Sequence, residues 1–323
     1  MNNKVLKGLI LICISIGFFL FVFSASGGPL TPLPVNNNLY AVTYGNSTFV
    51  AVGTFGAILT SPDGKTWTAQ SSGTTNYLYS IVYGDNEFVA VGADGTILTS
   101  TDGITWTKQN SKTDFTLFGV AYGNNMFVAV GEFGMILTSP DGKTWTKRFA
   151  GVSNYIHVIA YGNNTFVAVG EIGTILTSSD GKTWKDISYQ GNFNSFGIAY
   201  GNKTFVFGAS YGYGGILISH NGIKWMKYWS SGNSENIYNI AYGDKTFVAV
   251  GENGTILTSS SPETAWVLRT SGTINYLYGI TYGDNTFVAV GTKGTILTSS
   301  DGIAWVPQVS GMKSQVVFNQ GVQ

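Results

Sequence analysis

From residue 36 onward, short apolar runs alternate with clusters of glycine, aspartate, asparagine and serine, and helical periodicity is absent. The stretch Asn76–Asp114 shows the unit: NYLYSIVYGDNEFVAVGADGTILTSTDGITWTKQNSKTD. It predicts four strands, with strand A at Leu78–Tyr83, B at Glu87–Gly92, C at Thr96–Ser100 and D at Thr105–Gln109. Between them lie Gly84-Asp85-Asn86, Ala93-Asp94-Gly95 and Thr101-Asp102-Gly103, residues that accept positive φ and bond their own backbone. Strand D is polar, with Thr-Lys-Gln-Asn at 107–110 and Thr-Lys-Arg at 146–148, which suits an outer edge guarded against further pairing. Strand A is apolar and carries a small residue (Ala41, Ser80, Gly119, Gly197, Gly279), which suits crowding near an axis.

The unit recurs seven times. Tyr-Gly begins at Tyr44, Tyr83, Tyr122, Tyr161, Tyr200, Tyr242 and Tyr282, with spacings of 39, 39, 39, 39, 42 and 40 residues. Trp67, Trp106, Trp145, Trp184, Trp225, Trp266 and Trp305 keep the same rhythm, and Trp229 alone is off it. Four short antiparallel strands per repeat of about 40 residues predict an all-β fold, a seven-bladed β-propeller; solenoid repeats are shorter. The expected blades are 36–75, 76–114, 115–153, 154–192, 193–235, 236–274 and 275–311, followed by a tail at 312–323 whose segment Gln315–Phe318 offers a further strand.

The amino terminus follows a different pattern. Lys4 and Lys7 precede the apolar run Leu9–Ala25, and Ser26-Gly27-Gly28-Pro29 follows it. Residues 1–26 therefore read as a secretory signal cleaved after Ser26, with a retained anchor through residues 9–25 as the alternative. Residues 27–35, with Pro29, Pro32 and Pro34, read as a linker. The only cysteine, Cys13, lies in the apolar run, so the mature chain has no disulfide and relies on packing. The expected location is extracytoplasmic: secreted, periplasmic or at the cell surface.

Composition narrows the function classes. Seventeen Lys+Arg balance 17 Asp+Glu, and with 14% aromatic and 11% charged residues the chain is neither disordered nor a nucleic-acid binder. The 43 glycines show no period of three, which excludes collagen.

The C–D turns carry a motif: S-P-D-G-K-T-W at Ser61–Trp67 and Ser139–Trp145, and S-S-D-G-K-T-W at Ser178–Trp184. Blades 2 and 7 vary it as S-T-D-G-I-T-W and S-S-D-G-I-A-W. These turns resemble the Asp-box, or bacterial neuraminidase (BNR) repeat, of sialidase-like propellers, shortened by one residue between Asp and Gly. The resemblance covers Asn36–Gly311 and is nearest to extracytoplasmic propellers such as the photosystem II assembly factors and uncharacterised secreted proteins. It implies that Asp63, Asp102, Asp141, Asp180 and Asp301 are structural, each carboxylate accepting N–H bonds across its turn. Blades 5 and 6 lack the motif, reading S-H-N-G-I-K-W at Ser219–Trp225 and S-S-S-P-E-T-A-W at Ser259–Trp266.

The same resemblance raises glycosidase activity, which in sialidases implies three arginines and a tyrosine paired with a carboxylate. Here Arg148 and Arg269 are the only arginines, and both fall on outer strands. His157 and His220, the only histidines, fall in different blades, so no metal site, cofactor or Ser-His-Asp arrangement is expected. The arginine-lined patch that the photosystem factors imply does not carry over either. The expected protein is a monomeric, non-enzymatic binding or scaffold propeller with a protein or glycan partner. The alternative is a glycan-active enzyme with a non-standard site.

The partner surface is sought where repeats diverge. A–B and C–D turns share one face and are nearly uniform, while the face of B–C and D–A turns varies. Asp94, Glu132 and Glu171 form an acidic crescent on consecutive blades, and blade 5 adds Tyr211 and Tyr213 in a longer turn together with Trp229. These residues are the candidate site, suited to a cationic or carbohydrate partner. A second candidate is the position of Tyr40, Tyr79, Phe118, His157, Phe196, Tyr238 and Tyr278, six aromatics and a histidine that could form a ring near the axis. Strict alternation along strand A would place them with Ile81 and Tyr83 in ordinary inter-blade packing, with His157 replacing a tyrosine.

Overall fold

The structure, a computed structural model, describes residues 37–188, 193–210, 215–230, 235–263 and 265–310. Seven four-stranded antiparallel sheets follow one another along the chain, each built from consecutive strands. In blade 1 strand A is Leu39–Gly45, B is Thr48–Gly53, C is Ile58–Ser61 and D is Thr68–Gln70. The other six A strands are Leu78–Gly84, Leu117–Gly123, Ile156–Gly162, Asn194–Gly201, Ile237–Gly243 and Leu277–Gly283. This is the seven-bladed all-β propeller that the repeat predicts. The only helical segments among the described residues are one-turn 3₁₀ pieces such as Thr54–Gly56 and Glu132–Gly134.

Each strand's composition follows from what covers it. Strand B reads Thr-Phe-Val-Ala-Val-Gly in four blades and is buried from Phe to Gly, because neighbouring blades cover both faces of the sheet. Phe49, Phe88, Phe127, Phe166, Phe205, Phe247 and Phe287 repeat at its second position and are fully buried. Strand D is mostly exposed, as its lysines and glutamines predicted.

The Tyr-Gly dipeptide has a physical cause. A methyl group placed on Gly45 would lie 2.1 Å from Cγ of Tyr83 in the next blade. The same relation joins Gly84 to Tyr122, Gly123 to Tyr161, Gly162 to Tyr200, Gly201 to Tyr242 and Gly243 to Tyr282, all within 2.2 Å. Gly283 meets Tyr44 in the same way, so one tyrosine-on-glycine contact closes the ring between blades 7 and 1. No strand is exchanged between the described ends, and the proposed strand at 315–318 lies outside the described residues.

Every rhythmic tryptophan stands one residue ahead of strand D rather than inside it. Trp67, Trp145 and Trp266 are buried, and the other four are half-buried. In six blades the indole N–H donates to the carbonyl of the turn glycine, as in Trp145 Nε1 to Gly142 O at 2.7 Å. That glycine has φ near +70° and presses against a valine of the preceding blade, so no other residue fits there without strain.

Candidate functional site

The two faces of the propeller use their polar groups differently. On the A–B/C–D face, Asp63 Oδ1 accepts the N–H groups of Lys65 and Thr66 at 2.8 and 2.9 Å and the hydroxyl of Ser61 at 3.0 Å. Asp102, Asp141, Asp180 and Asp301 repeat the pattern. These bonds hold the carboxyls of Asp141 and Asp180 at about 2, the N–H of Thr144 or Thr183 contributing most. Blade 5, which lacks the aspartate, keeps the geometry: Asn221 Oδ1 accepts from Ile223 and Lys224 at 2.9 and 3.0 Å. Two bonds also tie blades together here, from Asn46 to Thr101 O and from Asn124 to Ser179 O. This face satisfies itself.

The other face opens onto the axis. In all seven blades strand A carries a β-bulge at one position: Leu39 pairs with Gly53 and Ala41 with Val52, which leaves Tyr40 unpaired between them. The same slip occurs at Tyr79, Phe118, His157, Phe196, Tyr238 and Tyr278. In six blades the glycine ending strand B makes room for it. A methyl group on Gly53 would sit 1.9 Å from the carbonyl oxygen of Asn38.

A bulge re-aims the residue it carries. The expectation of ordinary inter-blade packing, which assumed strict alternation, is thereby overturned. The seven side chains instead touch one another in a closed circuit. Ring centroids are 5.4 Å apart for Tyr40–Tyr79, 5.6 Å for Tyr79–Phe118, 5.7 Å for Phe118–His157 and 4.7 Å for His157–Phe196. The circuit continues at 5.9 Å for Phe196–Tyr238, 5.1 Å for Tyr238–Tyr278 and 5.4 Å for Tyr278–Tyr40. All seven residues are half-buried. They form an aromatic collar around the axis.

A second tier joins the collar to the turns. Tyr77, just before strand A of blade 2, contacts Tyr40, Tyr79 and Phe55. Tyr155 contacts Phe118 and Phe133, while Tyr276 contacts Tyr238 and Tyr278. Phe55 and Phe133 are 54% and 55% exposed at the tips of their B–C turns. They and Ile172 adopt φ of 52° to 54°, a left-handed conformation that costs a bulky residue roughly 1–2 kcal/mol. Asn253 occupies the same position in blade 6 more cheaply. Exposed apolar side chains on strained backbone serve the surface, not the core.

The sequence-predicted residues divide among several roles. Asp94 is exposed at the left-handed position of its turn. Glu132 is half-buried and accepts the N–H of Thr116 at 3.0 Å. Thr54 and Thr292 accept the N–H groups of Asn38 and Tyr276 from the matching position, so this acid has a local bonding duty as well. Glu171 lies 3.8 Å from Nε2 of His157, whose Nδ1 is 3.2 Å from the carbonyl of Ser195. Burial pulls the His157 pKa below its ordinary value, against the opposing pull of Ser195 and Glu171. Trp229 lies on the outer strand of blade 5, paired with Ile216, and Tyr211 and Tyr213 fall outside the described residues.

The sequence reading passed over Glu252. It accepts the hydroxyl of Tyr238 at 2.9 Å and the Asn236 amide at 2.8 Å, placing a carboxylate against the collar. Its identity at the first B–C position, shared with Glu132 and Glu171, was the available signal. Burial, then the bond and charge of Glu252, push the Tyr238 phenol far above its ordinary range. Tyr40, Tyr79 and Tyr278 are raised too, with burial the leading cause. Arg148 and Arg269 lie on outer strands and donate to Thr138 and Thr258. Among the described residues no three His, Cys, Asp or Glu side chains cluster as metal ligands. Among the same residues no helix is long and apolar enough to cross a membrane, and the apolar run at 9–25 lies outside them.

Comparison with known proteins agrees on architecture. The family model described as the DUF6242 beta propeller domain matches residues 34–154. No curated protein matches the chain. Among solved structures, YCF48 from Cyanidioschyzon merolae is 19% identical with a TM-score of 0.65, covering 83% of this chain and 96% of its own. YCF48 bound to D1 peptide is also 19% identical, with a TM-score of 0.68 over 83% and 93% of the two chains. A catalytically inactive virginiamycin B lyase from Staphylococcus aureus with quinupristin is 12% identical, with a TM-score of 0.72 over 82% and 97%. One neighbour holds a peptide and another is a lyase, so fold alone does not choose between binding and catalysis. What the likenesses share with this chain is the all-β propeller itself.

Proposed function

We propose that this chain is an exported, non-enzymatic binding or scaffold propeller of Asp-box type that engages a polypeptide partner through its B–C/D–A face. One observation carries the reading: the aromatic collar and its upper tier open on the face whose turns diverge, while the opposite face satisfies its own polar groups. Exposed Phe55 and Phe133 stand at the rim with aromatic partners behind them, the anatomy of an interface with rigid apolar anchors. The YCF48 structure with a D1 peptide supports a peptide over a glycan as the partner class. Export rests on Lys4, Lys7 and the apolar run that follows.

The test pairs an array of envelope-protein peptides with a glycan array, using the mature chain and a Phe55→Ser/Phe133→Ser variant. Both substitutions lie on exposed turn tips, so the fold is retained. Peptide capture by the parent chain, weakened at least tenfold in the variant, is expected. Equal capture by the two proteins, or capture of glycans alone, refutes the assignment. A reporter fused after residue 36, active only outside the cytoplasm, checks export.

A further inference from the structure

We propose that the aromatic collar is a cation site that admits the ammonium or guanidinium group of a partner's lysine or arginine side chain along the propeller axis. The inference rests on the peptide-binding reading and names the chemistry of its central contact. Its first support is dimension. Seven centroids spaced 4.7 to 5.9 Å around a closed ring place each one about 6 Å from the axis, the range over which an aromatic ring attracts a cation. Its second is orientation. Six of the seven junctions have interplanar angles between 36° and 77°. These scatter around the roughly 51° that seven-fold rotation gives to rings standing parallel to the axis. Upright rings stand around the axis, whereas rings lying flat would plug it.

The third support is charge. Glu252 is bonded to Tyr238, and Glu171 lies beside His157. Asp94 and Glu132 act on Tyr79, and Glu252 acts on Tyr278. Among the described residues, the two charged groups in contact with the collar, Glu252 and Glu171, are both acids. On the same face Lys112 and Lys293 are exposed turn residues, and the Lys112 ammonium is held 3.4 Å from the carbonyl of Trp145. Burial keeps His157 neutral above its lowered pKa, so the collar carries no cation of its own at neutral pH. A purely apolar occupant would gain nothing from the carboxylates of Glu252 and Glu171 beside the collar. A basic side chain answers both features, its methylene stem lying among the upper aromatics and its charge reaching the collar.

The probes are acetyl-Gly-Lys-Gly-amide, its arginine counterpart, and the norleucine counterpart that keeps the stem and lacks the charge. Binding to the mature chain is followed by NMR, where ring currents shift the lysine ε-methylene protons upfield inside the collar. The lysine and arginine peptides are expected to bind at least tenfold more tightly than norleucine. Tyr79→Phe keeps that preference because the π face remains, whereas Tyr79→Leu and Glu252→Gln each reduce it at least threefold. Equal binding of norleucine overturns the cation site, as does the absence of binding by all three peptides. Either result alongside positive peptide-array capture leaves the partner face standing. Lysine binding with a negative array supports the cation site and removes the partner-face reading.

Discussion

Replacing Gly123 with alanine tests the packing rule that joins the blades. The new Cβ would lie 2.1 Å from Cγ and 2.3 Å from Cδ1 of Tyr161, where carbon atoms prefer 3.5–4.0 Å. The ring must retreat by more than an ångström, but Phe166 packs behind it with centroids 4.6 Å apart. Backbone φ at Gly123 is not positive, so the cost is steric rather than conformational. Overpacking of a filled interface costs about 1–3 kcal/mol, and rigid neighbours on both sides place this case near 3 kcal/mol. Tyr161→Ala alone costs about 2–3 kcal/mol, less than a fully buried ring because Tyr161 is half-buried. In that background the Gly123→Ala methyl enters vacated space and costs almost nothing. The double-mutant cycle should therefore give a coupling of about 2–3 kcal/mol, read from urea unfolding midpoints at equal slope. Additivity within about 0.5 kcal/mol, or an unaffected Gly123→Ala protein, refutes the tyrosine-on-glycine account of blade joining.

Three further outcomes follow from the same geometry. Asp141→Ala should cost about 1–2 kcal/mol in urea unfolding, while Asp141→Asn costs less than half of that, because Asn221 already holds the equivalent turn in blade 5. Asp141 and Asp180, held at about 2 against an ordinary 3.8, contribute stability above pH 3.8 that fades as pH falls toward 2. A thermal-denaturation series from pH 6 to 2 should show that acid limb, flattened in the Asp141→Asn/Asp180→Asn protein, with solvent exposure keeping the difference modest. Gly73→Ala should cost only about 1–2 kcal/mol in unfolding free energy, since its φ is +71° but nothing lies within 4 Å of the added methyl. A larger loss there would point to an unrecognised packing role.

The seven blades, their four strands and the polar outer edge were legible in the sequence, because each depends on local chemistry. Period-two apolar runs, Asp-Gly and Asn-Gly turns, and the Tyr-Gly spacing act within one repeat, and copying that repeat seven times multiplies the signal. The aspartate turns were legible for the same reason, since carboxylate, N–H groups and glycine all lie within six residues. Asn221 was misjudged because a motif is read by residue identity, whereas the turn asks only for an acceptor oxygen. The collar was decided by tertiary structure. Tyr40 and its six counterparts face one another only because strand B pairs with strand A one residue out of step. In six blades that slip brings a glycine at the far end of the hairpin close to a carbonyl before strand A. A one-residue change of register reverses the direction of a side chain, and alternation along a single strand cannot report it. Ring closure then brings together aromatics about 40 residues apart, and sets the carboxylates of Glu252 and Glu171 against them.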